Sequence, residues 1–270
     1  MVAAPASAVT SGLQTSAGKS RLRQSVCRWP YAKIPLPEFC KAVADMGLTA
    51  IDLLIESEWP VARQHGLLCS MGSGFGGTIT DGLNVKANHE KIVASLERGI
   101  PIAAANKVPN LITFFGNRRG MPDDEAVANC VDALNRVKKI AEDHGVTICI
   151  ELLNSKVDHK DYQGDHTAFG VRVVQAVASP RVKLLYDIYH MQIMEGDLIR
   201  TIRDAREHIA HFHTGGVPGR HELDETQEIQ WRSVATAIAD MGFDGYFAHE
   251  FIPTRDPIAV LREAVALCTV

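Results

Sequence analysis

A single-domain (β/α)8 barrel is the fold this sequence predicts, on three observations. Short apolar β-type runs alternate with helical stretches from residue 22 onward, eight such runs are present, and no linker-like segment interrupts them. The chain length of 270 residues suits this reading, since such barrels take about 250 residues. A doubly wound open sheet is the alternative, but the Gly-rich nucleotide loop it often carries is missing. Ser73-Gly-Phe-Gly-Gly77 has the wrong glycine spacing and follows the third β run, so it reads as a mobile loop over the barrel mouth.

The elements follow in order. Gln24–Cys27 opens the sheet and Pro37–Met46 is the first helix. Ala50–Leu54 is the second strand, followed by a short helix at Ser57–His65. Leu67–Met71 is the third strand, then the helix Ala87–Asn106 and the strand Leu111–Phe115. Asp123–His144 is the clearest helix: acids open its first turn, apolar residues recur at Val127, Val131, Leu134, Val137 and Ile140, and Gly145 closes it. Thr147–Leu152, Val182–Asp187, Ile209–His213 and Gly245–Glu250 are the last four strands. Thr167–Ala178, Asp197–Glu207, Trp231–Met241 and Pro257–Leu267 are their helices. Ala-Asp-Met-Gly occurs at 44–47 and again at 239–242, each time ending a helix with a glycine suited to a left-handed cap.

The domain spans residues 22–270. Residues 1–21, rich in Ala, Ser and Thr, read as a disordered N-terminal arm. That arm lacks the basic start and apolar core of a secretory signal, which favours a cytoplasmic protein. Ala-Pro-Ala-Ser-Ala as the trimmed end of a signal for export to the periplasm is the alternative. No apolar run is long enough to span a membrane. A net charge of −4 without a Lys/Arg block argues against nucleic acid as a partner. The six cysteines lie singly, without C-x-x-C spacing, as buried free thiols do. The oligomeric state is open, a homo-oligomer included.

Four strands end in Glu151, Asp187, His213 and Glu250, spaced 36, 26 and 37 residues apart. A charge at the end of a buried strand is costly unless something compensates it. The spacing gives one such residue per strand–helix–strand unit, and strand C-termini converge at one barrel face. Three carboxylates and an imidazole suit one divalent metal ion, Mn²⁺, Mg²⁺, Co²⁺ or Zn²⁺. Unrelated strand-end charges paired with Lys or Arg are the plain alternative. Glu151 and Glu250 are also the candidate proton-transfer pair for a small sugar or hydroxy-keto substrate. His190, three residues past Asp187, falls in a loop over the same face and could donate to an oxyanion. Arg220 could fork onto a carboxylate or hydroxyls. Lys156 is the substrate-contact candidate from the polar run after Glu151, which otherwise reads as an exposed loop. His211 faces the same side as His213 one layer deeper, as a supporting partner or a satisfied core histidine. Strand alternation turns His249 away.

Ile-Glu-Leu-Leu-Asn-Ser-Lys (150–156), Tyr-Asp-Ile-Tyr-His-Met-Gln-Ile-Met-Glu-Gly-Asp (186–197) and His-Phe-His-Thr-Gly-Gly-Val-Pro-Gly-Arg-His-Glu (211–222) resemble the hydroxypyruvate isomerase family. That family lies among the xylose-isomerase-like TIM barrels, beside ketose 3-epimerases and endonuclease IV, and the resemblance runs from about Arg23 to Cys268. It implies metal binding by Glu151, Asp187 and Glu250, and proton transfer by the two glutamates. It further implies substrate polarisation by His190 and substrate contact by Arg220. His213 departs from it: hydroxypyruvate isomerases place Gln there, and His looks more like the ketose epimerases. The expected activity is therefore that of a divalent-metal-dependent isomerase or epimerase working through an enediolate. Two alternatives are a non-catalytic sugar-binding barrel and an endonuclease IV-like repair enzyme. The latter is disfavoured because the third and fourth strands end without histidine.

Overall fold

The computed structural model describes residues 20–270; residues 1–19 of the arm expected at 1–21 lie outside them. Eight parallel strands close into a barrel in sequence order, with β1 (Arg23–Cys27) hydrogen-bonded to β2 (Ala50–Leu54) on one side and to β8 (Tyr246–His249) on the other. Between these run β3 (Leu68–Gly76), β4 (Asn110–Phe114), β5 (Thr147–Glu151), β6 (Val182–Asp187) and β7 (Ile209–Thr214). The helices are α1 (Leu36–Asp45), α2 (Trp59–Gln64), α3 (His89–Ala105), α4 (Asp123–His144), α5 (Thr167–Val177), α6 (Ile188–Met194), α7 (Leu198–Ala205), α8 (Trp231–Asp240) and α9 (Pro257–Leu267). The expected barrel is the observed one. Gly47 and Gly242, closing the two Ala-Asp-Met-Gly segments, adopt φ of +83° and +71°, the left-handed caps read from the sequence.

Most of the core lies between the sheet and the helix ring, where residues such as Ile51, Leu54, Phe115, Leu134 and Trp231 are buried. A smaller cluster, Met71, Ile112, Cys149 and Leu185, fills the barrel interior. All six cysteines are buried and unbridged. Among the described residues no helix is long and apolar enough to cross a membrane.

Two expectations about the mouth are corrected. Residues 73–77 are not wholly a loop: β3 continues through Gly76, which pairs with Thr113 of β4. The glycines serve close approach, since a Cβ on Gly76 would sit 2.1 Å from the Ile112 carbonyl oxygen. Nor does a loop follow Asp187. The Asp187 carboxylate accepts the His190 N–H at 3.1 Å and caps α6, which starts at the next residue. His190 therefore stands on the first turn of a helix.

A distortion in β2 bears on the site. Its pairing with β3 shifts register around Asp52 and Leu53, and Leu53 adopts φ +56°. Strict alternation would send Asp52 inward and Leu53 outward. The bulge turns both inward, while Ile51 and Leu54 pack in the outer core. A left-handed conformation at a branched non-glycine residue costs about 1–3 kcal/mol, which the surrounding packing must hold in place.

Candidate active site at the barrel mouth

At the C-terminal end of the barrel the four strand-end residues meet. One ligand atom each from Glu151, Asp187, His213 and Glu250 falls within a set whose members are all within 4.8 Å of one another, all buried. His213 Nδ1 is 2.7 Å from Glu250 Oε2 and 3.3 Å from Glu151 Oε1, yet makes no hydrogen bond of proper geometry. A buried nitrogen without a partner, facing three carboxylates, is the arrangement a cation would satisfy. Oxygen and imidazole donors of this kind fit a borderline-to-hard divalent metal, held by Glu151, Asp187, His213 and Glu250.

The charges are strongly perturbed. Burial pushes the Glu151 carboxyl up, and it pushes Asp187 up to about 7. Burial acts upward on Glu250 too, but Arg220 and then His213 outweigh it and bring Glu250 below the usual range. For His213, burial acts downward and is overcome by the acidic groups around it, Cys27, Glu250 and Asp52, so its proton is held more tightly than usual.

Arg220 reaches the same cluster. Its Nη2 lies 2.6 Å from Glu250 Oε2 and 3.2 Å from Asp187 Oδ2, and its guanidinium stands over the Trp29 and Tyr189 rings at 5.3 and 5.2 Å. Trp29 Nε1 donates to Glu250 Oε1. His190 is fully buried beside the quartet, its Nε2 unpartnered and 3.6 Å from Asp187 Oδ2. Burial first, then Arg220, lowers its affinity for a second proton well below that of an ordinary imidazole. Asn154 determines where the remaining proton sits. Its Oδ1 accepts the Val157 and Asp158 N–H groups, so its Nδ2 donates to His190 Nδ1 at 2.6 Å. The His190 proton is thus on Nε2, which faces the site as a donor.

Above the quartet opens a cavity of about 430 Å³ into which Glu151, Glu250, Arg220 and His159 project. Lys156 is elsewhere: its Nζ donates to the Ile193 and Met194 carbonyls at 3.0 and 3.1 Å, at the end of α6, and it does not line the cavity. The Ser73–Gly77 segment does line it, through Ser73, Gly74, Gly76 and Gly77. His249 turns outward to Gln24 Oε1, 2.8 Å away.

Residues 40–269 match the family model described as xylose isomerase-like TIM barrel. The chain belongs to that family. A 2-oxo-tetronate isomerase of Pectobacterium atrosepticum is 25% identical over 234 residues, 83% of this chain and 88% of that protein. A human protein named "Putative hydroxypyruvate isomerase" is 24% identical, covering 90% of this chain and 84% of its own length. The solved structure of a family 2 AP endonuclease from Brucella melitensis superimposes with a TM-score of 0.79 over 89% of this chain and 97% of its own, at 20% identity, a likeness of fold.

Among the residues of this xylose isomerase-like barrel that sequence reasoning missed, Trp29 donates to Glu250 and one other bears directly on His213. Asp52, fully buried, presents Oδ2 to His213 Nε2 at 2.8 Å and to His211 Nε2 at 2.9 Å, while Oδ1 accepts from Ser70 Oγ at 2.8 Å. His211 is thus a member of the His213 network rather than an isolated core histidine. Burial acts upward on the Asp52 carboxyl, but the two histidines hold it well below the usual range. The available signal was a carboxylate in the middle of Ala-Ile-Asp-Leu-Leu, a strand otherwise apolar.

Proposed function

We propose that this chain is a divalent-metal-dependent isomerase or epimerase of a small hydroxy-carbonyl compound. The observation that carries the reading is the quartet of Glu151, Asp187, His213 and Glu250 at the mouth, with both glutamates also lining the cavity. The isomerase name of the Pectobacterium relative supports it. His213, where the resemblance expects Gln in hydroxypyruvate isomerases, leans it toward the chemistry of the epimerases rather than toward hydroxypyruvate itself.

When bound, a divalent ion supplies Lewis-acid polarisation of the carbonyl and offsets charge on its oxygen. The rest falls to the protein. One of Glu151 and Glu250, as carboxylate, removes the proton from the carbon between the hydroxyl and the carbonyl. The C–H electron pair becomes the C=C bond of an enediolate, and negative charge passes to the former carbonyl oxygen. The other glutamate, protonated, returns a proton to the same carbon for epimerisation, the oxyanion reforming the carbonyl. For isomerisation it returns the proton to the neighbouring carbon, and the hydroxyl proton passes to the former carbonyl oxygen as the new carbonyl forms. The buried environment that raises Glu151 suits a carboxyl that must both hold and release a proton. His190 Nε2–H donates to the developing oxyanion, and Arg220 orients the substrate oxygens.

The test is reconstitution. Protein stripped with chelator and reloaded separately with Mn²⁺, Mg²⁺, Co²⁺ or Zn²⁺ is expected to incorporate solvent deuterium into at least one member of a panel of ketoses, aldoses and hydroxypyruvate. Exchange independent of metal, or metal binding without exchange on any hydroxy-carbonyl compound, would sink the proposal.

A further inference from the structure

The cavity is lined by two kinds of residue. Glu151, Glu250, Arg220 and His159 gather at the quartet, and an apolar wall of Leu53, Ile79, Ile112, Phe114 and Leu153 runs up to them, Phe114 being the register partner of Glu151. Two polar groups that line the same cavity are already engaged: Ser73 Oγ donates to the Leu53 carbonyl at 3.2 Å, and Gly76 O accepts from Thr113 Oγ1 at 2.6 Å. Leu53 reaches the wall only through the β2 bulge and its left-handed backbone, so strain is spent on placing a branched apolar side chain there. At about 430 Å³ the space is within the range of roughly 300–1,000 Å³ that holds drug-sized ligands. It is far more than a three-carbon keto acid fills.

Resting on the proton-transfer reading above, we propose that the substrate is a hydroxy-carbonyl compound bearing an apolar alkyl or aryl group, seated against Leu53, Ile79, Ile112, Phe114 and Leu153. A polyhydroxylated chain in that position would give up water without gaining hydrogen-bond partners, and sites reject such groups. An apolar group gains by the same transfer.

The experiment compares two ketones on the Mn²⁺-loaded protein in deuterium oxide. 1-Hydroxy-4-phenylbutan-2-one carries the apolar group; L-erythrulose carries hydroxyls in its place. Expected is at least a tenfold higher kcat/KM for deuterium entry at C1 of the phenyl ketone. Phe114→Gln and Ile79→Gln, both at partly exposed positions, should each erase most of that preference while leaving Mn²⁺ affinity unchanged. Equal or faster exchange of erythrulose overturns the apolar substrate and leaves the proton-transfer reading standing. If neither ketone exchanges, quenching of Trp29 fluorescence separates the two ideas. Quenching by the phenyl ketone, absent in Trp29→Phe, keeps the apolar subsite and removes the proton-transfer reading; no quenching removes both.

Discussion

Asp52 Oδ2 lies 2.8 Å from His213 Nε2, so a strand on one side of the barrel fixes the ring of a candidate metal ligand on the other. Because Nε2–H donates to this carboxylate, Nδ1, which faces Glu151 and Glu250, is the nitrogen that would ligate a metal once the ion displaces its proton. His211 Nε2 shares the same oxygen, and Ser70 Oγ holds the other, leaving the Asp52 carboxylate little freedom to move.

Asp52→Asn keeps the shape and removes the charge that fixes the His213 tautomer. Mn²⁺ affinity, measured by calorimetry, is expected to fall about 10–100-fold, with an unchanged circular dichroism spectrum. Wild-type affinity in the variant would show that the contact has no bearing on the metal.

Glu250→Gln and Glu151→Gln should fold normally and lose turnover by about 10²–10⁴-fold, the usual contribution of a positioned acid or base. Both carboxylates are also in the quartet, so rates are to be compared at saturating metal. An active Glu250→Gln protein would remove it from the proton-transfer pair.

His190→Ala removes the buried Nε2 donor and should lower kcat about 10²–10³-fold, as loss of an oxyanion donor does. Asn154→Ala should act in the same direction but less severely, because it leaves the ring and releases only its tautomer. If His190→Ala raises KM alone, the residue binds substrate without stabilising the charge.

Metal should stabilise the fold. The quartet packs like charges in a buried site, and a ligand at 100 times its Kd adds about 2.7 kcal/mol, or about 5–11 °C in Tm for a chain of this size. Calorimetry of chelated and Mn²⁺-saturated protein measures it, and coincident melting curves would contradict the site.

What the sequence disclosed follows from cost. Glu151, Asp187, His213 and Glu250 each close an apolar run, where an unpaired charge is expensive, and that cost made them legible. Asp52 escaped because it interrupts a run rather than ending it, and its partners come from β7, 159 and 161 residues away. Helix α6 escaped because Asp187 marks a strand end and caps a helix with the same side chain. The rim of β3 read as a loop because glycines that permit close contact with β4 look, in sequence, like glycines that permit turns. Lys156 had the chemistry of a substrate ligand, but its side chain is spent on the end of α6.

The quartet comes from β5, β6, β7 and the residue that follows β8, while four of the five apolar wall residues, Leu53, Ile79, Ile112 and Phe114, come from the first half of the chain. In the proposed reading, reactivity and selectivity are therefore written on different halves of one molecule. A lineage could exchange the first half's mouth residues and acquire a new diet without disturbing the chemistry, provided each newcomer kept an aspartate where β2 crosses to the histidines of β7.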